Sequence, residues 1–498
     1  MNLKEKLRTI SRDKFTGFIY ITMAFSVLLI LLSIINRFFD LDELRHLHST
    51  WYTANGYAPY SDFFQTSHPL LWVLLAPLFF IFGNSIIVLF IARFIMVLFT
   101  FAGIYLIFLI AKMVTRSKEV ALLSVVFLLS SVTFVQIGIE VRPEVPQLFF
   151  GLLSFYFLMI FFRRRRIKHI VLSGIFAACA FLFMQKTIFL LLVYILVFAH
   201  KFYKGELFLE NKKNIPTGKE KIEENGRWPQ LKTIGLFILS FFTPLMGLFA
   251  YLIVSGSFSE YFLSNWLVPA GLLDSYSPYH TILGLIIENL LFWYFLFSAA
   301  AVFFIWKRKK GNREIRLLTF ISILLLIVPT LLTKMPDQQN YLFFIAFGAI
   351  PAAYIFKAIC INYNFKLRGK ITLLAAAVIL PIFILTAMLT ASNKFQVDKI
   401  SFVLENSSDT DTVYDGRAEF NLFRKDLHYF WYGLSNKKEF ATYNKITGNK
   451  NFGNYDIYEL IHDKKPKFIS NTKLKPERRG LSRLYIKTNF KDLYIRRE

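Results

Sequence analysis

Residues 16–48 read TGFIYITMAFSVLLILLSIINRFFDLDELRHLH. Crossing a bilayer core takes about 20 mostly apolar residues, and 16–39 supplies them. Asp40, Asp42 and Glu43 follow at once, so the chain meets a cluster of carboxylates as it leaves the apolar run. Lys4, Lys6, Arg8, Arg12 and Lys14 precede the run, and no small-residue cleavage site follows it. It therefore reads as a retained first membrane helix rather than a removed signal peptide.

Ten further apolar runs extend this pattern, at 86–111, 120–135, 145–162, 170–184, 187–202, 234–254, 281–306, 317–332, 341–360 and 371–390. The alternate connections carry Lys112/Arg116/Lys118, Arg163–Arg166 with Lys168, the basic stretch 203–233, Lys307–Lys310 with Arg313, and Lys366/Arg368/Lys370. The opposite connections, 40–69, 136–144, 185–186, 255–280 and 333–340, are poor in Lys and Arg. Basic loops stay on the cytoplasmic side. The N-terminus is thus expected inside and the C-terminal tail outside. The run 69–82 is too short to span and reads as an interfacial or re-entrant segment, because a crossing there would turn every later basic loop outward.

The expected fold is an all-α polytopic membrane domain of about eleven helices (1–391) followed by a small extracytoplasmic α+β domain (392–498). The tail is polar, with strand-like runs at 467–470 and 484–487, and 203–233 reads as a flexible cytoplasmic linker. The 57 Phe residues and 55% hydrophobic content suit lipid contact. The net charge of +25 is read as a topology signal rather than as a nucleic-acid footprint. Cys179 and Cys360 lie in apolar runs and suggest neither a disulfide framework nor a zinc site. The richness in Lys, Ile, Asn and Phe points to a low-GC bacterium, and so to its cytoplasmic membrane.

Chemistry concentrates in the outer connections. The first holds Asp40, Asp42 and Glu43, then Gly56-Tyr57-Ala58-Pro59-Tyr60-Ser61-Asp62-Phe63, then His68-Pro69-Leu70-Leu71. A carboxylate at the water–lipid boundary can be partly desolvated and suited to taking a proton. A solvated acidic loop that simply obeys the charge rule is the bland alternative. The second connection, Glu140-Val141-Arg142-Pro143-Glu144, alternates acid and base, and Pro143 marks a helix boundary. The alternative is an interfacial ion pair. Lys186 in a tight turn could snorkel to headgroups, and Lys334 stands in a polar turn before Asp337-Gln338-Gln339-Asn340-Tyr341. Arg93 and Glu288 lie inside apolar runs, where an ionisable group usually has a partner; for Arg93 the preferred reading is that it locks helix packing.

The Asp42-Glu43 pair, the Gly-x-x-Pro-Tyr-x-Asp-Phe stretch and His-Pro-x-Leu together resemble the first outer loop of the GT-C glycosyltransferase superfamily. More narrowly, they resemble the bacterial branch related to dolichyl-phosphate-mannose–protein mannosyltransferases and to the aminoarabinose transferase of lipid A. The resemblance covers about 16–390 in order. It implies an inverting transferase with a polyprenyl-phosphate sugar donor and a lipid, glycan or protein acceptor. Asp42 would be the base, with Glu43 beside it near the acceptor. His68, Arg142, Lys186 and Lys334 would contact the carrier phosphate. Tyr60, Asp62, Glu140, Glu144, Gln339 and Tyr341 would contact substrate. Relatives often carry Asp where Glu140 and Glu144 stand here, and the tail matches no family motif. No ligand spacing demands a metal, so a divalent cation is left open. The alternatives are a flippase of lipid-linked sugars, a polysaccharide polymerase or ligase, and a scaffold presenting the tail. The first predicts charges along the bundle and inverted repeats, which this sequence lacks.

Overall fold

The computed structural model describes residues 3–207, 228–271, 277–305, 313–333, 337–388, 391–417, 419–429, 437–448, 456–471, 474–475 and 479–497. Most of the linker 203–233, and Lys334, lie outside these residues. Among these described residues, eight helices are long and apolar enough to cross a membrane. They are α1 (Leu3–Asn36), α4 (Ile87–Thr115), α7 (Glu144–Arg164), α9 (Ile188–Tyr203), α10 (Trp228–Val254), α15 (Arg313–Leu332), α16 (Leu342–Asn362) and α17 (Leu367–Met388). Two bent pairs bring the number to ten: α5 (Lys118–Leu129) with α6 (Val132–Ile139), at 72°, and α13 (Pro278–Glu288) with α14 (Leu290–Ala300), at 101°.

Helix α8 (Ile167–Phe183) has 17 residues, or about 25 Å of rise. It starts beside the Arg163–Arg166 end of α7, and the turn that follows it brings Lys186 to 3.6 Å from Glu144 at the other end of α7. So α8, a shorter apolar helix, runs back along α7 beside the eight to ten candidate spans, where hydropathy predicts eleven. Gly174 lets it lie close to α10: a Cβ there would sit 2.6 Å from the Phe237 carbonyl.

The connections then segregate by charge. One end carries Arg165, Lys201 and Arg313, each in contact with Glu206, and Arg163, which pairs with Glu314. The other end carries residues 37–69, 140–144 and 185–187. There the polar stretch after α1 is not a loop, as the sequence suggests, but an amphipathic helix, α2 (Leu41–Ala54), which buries Leu44, Leu47 and Trp51. The apolar α3 (Leu70–Phe82) packs on it and is too short to span.

The C-terminal region begins with α18 (Lys394–Glu405). Its Gln396 exchanges two hydrogen bonds with the Phe39 backbone, of 2.7 and 2.9 Å, clamping it to the end of α1. Five short strands follow: β1 (Thr412–Tyr414), β2 (Lys425–Asp426), β3 (Phe468–Ser470), β4 (Tyr485–Lys487) and β5 (Leu493–Arg496). They form one mixed sheet in the order β2-β1-β3-β5-β4. This region docks on α2. His48 Nε2 lies 2.5 Å from Asp426 Oδ2, and the Tyr52 hydroxyl donates to the same oxygen at 3.2 Å. The tail therefore holds the helix whose first turn carries Asp42.

Candidate active site

Helix α2 starts where Asp40 takes extended geometry and its carboxylate accepts the Asp42 N–H at 2.9 Å. That N-cap places Asp42 and Glu43 in the first turn, where acids suit the helix dipole. Successive helical residues point about 100° apart, so the two acids face different surroundings. Glu43 turns inward and is fully buried. Arg93 Nε donates to its Oε1 at 2.8 Å, and its Oε2 accepts the Val141 N–H at 3.1 Å. Arg93 also donates to the carbonyls of Ser33, Ile34, Arg37 and Phe38, satisfying the orphan acceptors at the end of α1. Burial raises the Glu43 carboxyl, and Arg93 opposes the shift. With no surface left to meet an acceptor, Glu43 is a hub of the core. The expected acceptor contact does not survive this geometry.

Asp42 faces outward, with 34% of its side chain exposed. Arg142 Nη2 sits 2.7 Å from Asp40 and 2.8 Å from Asp42, while its Nε is 2.7 Å from Glu140. Arg37 closes the far side of Glu140 at 2.5 Å. Burial works against the Asp42 charge, but Arg45 (3.3 Å), Arg142 and Lys186 overcome it and hold the carboxyl well below the usual range. Burial likewise opposes the Arg142 charge, and its carboxylate neighbours more than compensate, so the guanidinium stays charged.

Lys186, in the turn Gln185–Thr187, lies 3.6 Å from Glu144, and Gln185 anchors that turn to the Thr66 carbonyl at 2.9 Å. Asp337 stands exposed at the rim. Desolvation raises its carboxyl, as do the charges of Asp42 and Glu144, against Lys186 and Arg142. These residues from four connections are thus within electrostatic range of one another. Lys186, Glu144, Gln339 and Asn340 line one narrow crevice between α7, α15 and α16.

Other sequence candidates are placed differently. His68 is fully buried, its Nδ1 2.6 Å from the Phe181 carbonyl and its Nε2 3.0 Å from the Tyr261 hydroxyl. Burial pushes it down to about 4, so it is neutral and supplies no charge to a phosphate. Tyr60 is also buried, at φ 71°, and its hydroxyl donates to the Ser67 carbonyl at 2.6 Å. Asp62 caps the same turn by accepting the Ala58 N–H at 2.7 Å. Tyr341 is buried with its hydroxyl 3.0 Å from Thr330. Tyr60 and Tyr341 are therefore wall residues, while Asp62 stays exposed. Glu288, the half-buried acid within an apolar run, accepts from the Thr133 hydroxyl at 2.7 Å.

The sequence assigns no site role to Arg37, Arg45, His46 or Asp337, although Asp337 stands in the motif that follows Lys334. Arg37 was visible as a cation closing an apolar run. Burial keeps His46 neutral, and it accepts the Trp72 indole N–H at 3.3 Å, one turn after Asp42. Among the described residues no group of three or more His, Cys, Asp and Glu side chains is arranged to hold a metal ion.

Residues 67–213 match the family model described as dolichyl-phosphate-mannose-protein mannosyltransferase. No curated protein matches the chain. Solved structures share its fold. ArnT from Cupriavidus metallidurans in the apo state is 12% identical, with a TM-score of 0.55, over 82% of this chain and 84% of that one. The same protein bound to undecaprenyl phosphate is 11% identical, with a TM-score of 0.56 and the same coverage. The oligosaccharyltransferase AglB from Archaeoglobus fulgidus, solved with an inhibitory peptide and a dolichol-phosphate, is 15% identical, with a TM-score of 0.59, over 92% and 69%.

Proposed function

We propose that this multi-pass membrane chain, which has the fold of the GT-C superfamily of glycosyltransferases, transfers a sugar from a polyprenyl-phosphate carrier to an acceptor hydroxyl at the end of the bundle that holds Asp42. The observation that carries the reading is the convergence of Asp42 with Arg142, Lys186 and Asp337 from separate connections. A carrier lipid keeps its tail in the bilayer and its phosphate at the boundary, and cations placed there meet the charge that develops on a departing phosphate. The basic connections at the opposite end favour the cytoplasm, which would put this site on the outer face of a bacterial cytoplasmic membrane, with the C-terminal domain (392–498) over it.

The reaction is an inverting displacement. The acceptor oxygen attacks the anomeric carbon, its proton passes to Asp42, and the bond from that carbon to the phosphate oxygen breaks. Polyprenyl phosphate leaves with the bonding electrons, neutralised by Arg142 and Lys186. Held by three cations, Asp42 is a weak base, and a general base works best with a pKa near the working pH. An arriving phosphate competes for Arg142 and Lys186, and drawing them off Asp42 raises its affinity for a proton. Donor binding thereby switches on the base. Asp337 supports a second reading, because it is exposed and its carboxyl is already raised; it would then be the base while Asp42 orients Arg142.

Lys186→Ala tests the phosphate assignment. It should weaken binding of a polyprenyl phosphate to the purified protein by about tenfold, the scale of one charge-assisted hydrogen bond. The binding curve in detergent is the readout, and unchanged affinity would remove Lys186 from the site.

A further inference from the structure

A cavity of about 710 Å³ opens at the basic end of the bundle, between α7, α9 and α15. Its volume falls in the roughly 300–1,000 Å³ range of small-molecule sites. Nothing in the proposed transfer reaction uses it, since the Asp42 cluster lies at the other end. Its inner wall is hydrocarbon, with Met159, Phe162, Leu196, Phe304, Leu317 and Phe320. Leu196, Phe304 and Phe320 are each at least 40% exposed, so the wall faces the level of the lipid tails. Its mouth is cationic, with Arg163, Lys201, Lys204, Arg313 and Arg316. Among the described residues, two acids pair with them. Glu314 is held by Arg163 at 2.7 Å, and Glu206 by Lys201 and by Arg313 at 3.1 Å. Among the described residues, the cations around this opening outnumber the acids. Lys204 makes no ion pair among the described residues, and it shares an electrostatic neighbourhood with His200, Lys201 and Arg313.

We propose that this cavity is a binding site for an anionic glycerophospholipid of the adjoining leaflet, with an acyl chain along the aromatic wall and the phosphate among Lys204, Arg313 and Arg316. Charge complementarity selects an anionic lipid over a zwitterionic one, and the apolar wall selects a lipid over free phosphate. A basic end that merely obeys the topology rule would need no apolar cavity behind its charges.

The test uses the full chain purified in detergent and loaded with phosphatidylglycerol, phosphatidylcholine, a polyprenyl phosphate or inorganic phosphate, with retained lipid counted by native mass spectrometry. Phosphatidylglycerol should be retained at least about fivefold over phosphatidylcholine. That preference should vanish in Lys204→Gln/Arg316→Gln, and in Leu196→Trp, which fills the wall. Unchanged affinity for polyprenyl phosphate in these variants would keep this site separate from the transfer reading. The proposal is overturned by equal retention of the two phospholipids, by a preference that survives in either variant, or by displacement with equimolar polyprenyl phosphate or inorganic phosphate. If a variant does not fold, the comparison of the two phospholipids on the unaltered chain still decides.

Discussion

Asp42→Asn should abolish turnover while leaving carrier binding almost intact. General-base catalysis contributes about 10²–10⁴-fold, and Asn keeps the shape of Asp without its proton affinity. Release of polyprenyl phosphate from a panel of polyprenyl-phosphate hexoses and pentoses should fall by about 10³-fold, with carrier Kd within roughly threefold of the unaltered chain. The carboxylate also neutralises Arg142 at 2.8 Å. Its loss frees that cation, so any change in affinity should be toward tighter phosphate binding. The same measurement on Asp337→Asn separates the two base assignments. A silent Asp337 variant beside a dead Asp42 variant supports Asp42, and the reverse pattern moves the base to Asp337.

The second large effect concerns stability. Arg93→Leu should destabilise the protein by about 3–5 kcal/mol, the usual cost of leaving one member of a buried pair uncompensated. Two things fail together in that variant. Glu43 keeps a buried carboxylate without its cation, and the carbonyls of Ser33, Ile34, Arg37 and Phe38 at and just past the end of α1 lose that donor. Thermal unfolding in detergent measures the loss. Glu43→Gln combined with Arg93→Leu should recover part of it, because no charge is then stranded. An Arg93→Leu protein that melts like the unaltered chain would show that this guanidinium does not hold α1, α2 and α4 together.

The membrane architecture was legible because hydrocarbon thickness and loop charge are local properties of the sequence. Each apolar run and each basic connection could be read alone, including the short 69–82 run, which the structure shows as a 13-residue helix on α2. Helix α2 was harder to see. Leu44, Leu47 and Trp51 carry a helical period, but His46, His48, Ser49 and Thr50 are buried among them and dilute it. Those polar residues are inside because α3 and the C-terminal region cover them, which is tertiary information. The division of labour within the first loop was hidden for the same reason. Asp42 and Glu43 are chemically alike and adjacent, and only the position of Arg93, fifty residues on, decides which faces the core. His68 and Tyr60 look like site residues in a motif, yet their polar atoms are consumed by Phe181, Tyr261 and Ser67. Lys186 showed the reverse. A lone lysine in a tight turn is an ordinary headgroup contact until the fold brings Glu144 and Asp42 to it.

Labelling with a photoreactive polyprenyl phosphate goes to the heart of the proposed chemistry. The label should map to peptides from 140–144, 185–187 and 337–341 around Asp42, and Lys186→Ala should deplete it. Label found only at the opposite end, among Lys201, Lys204 and Arg313, would contradict the carrier site proposed here.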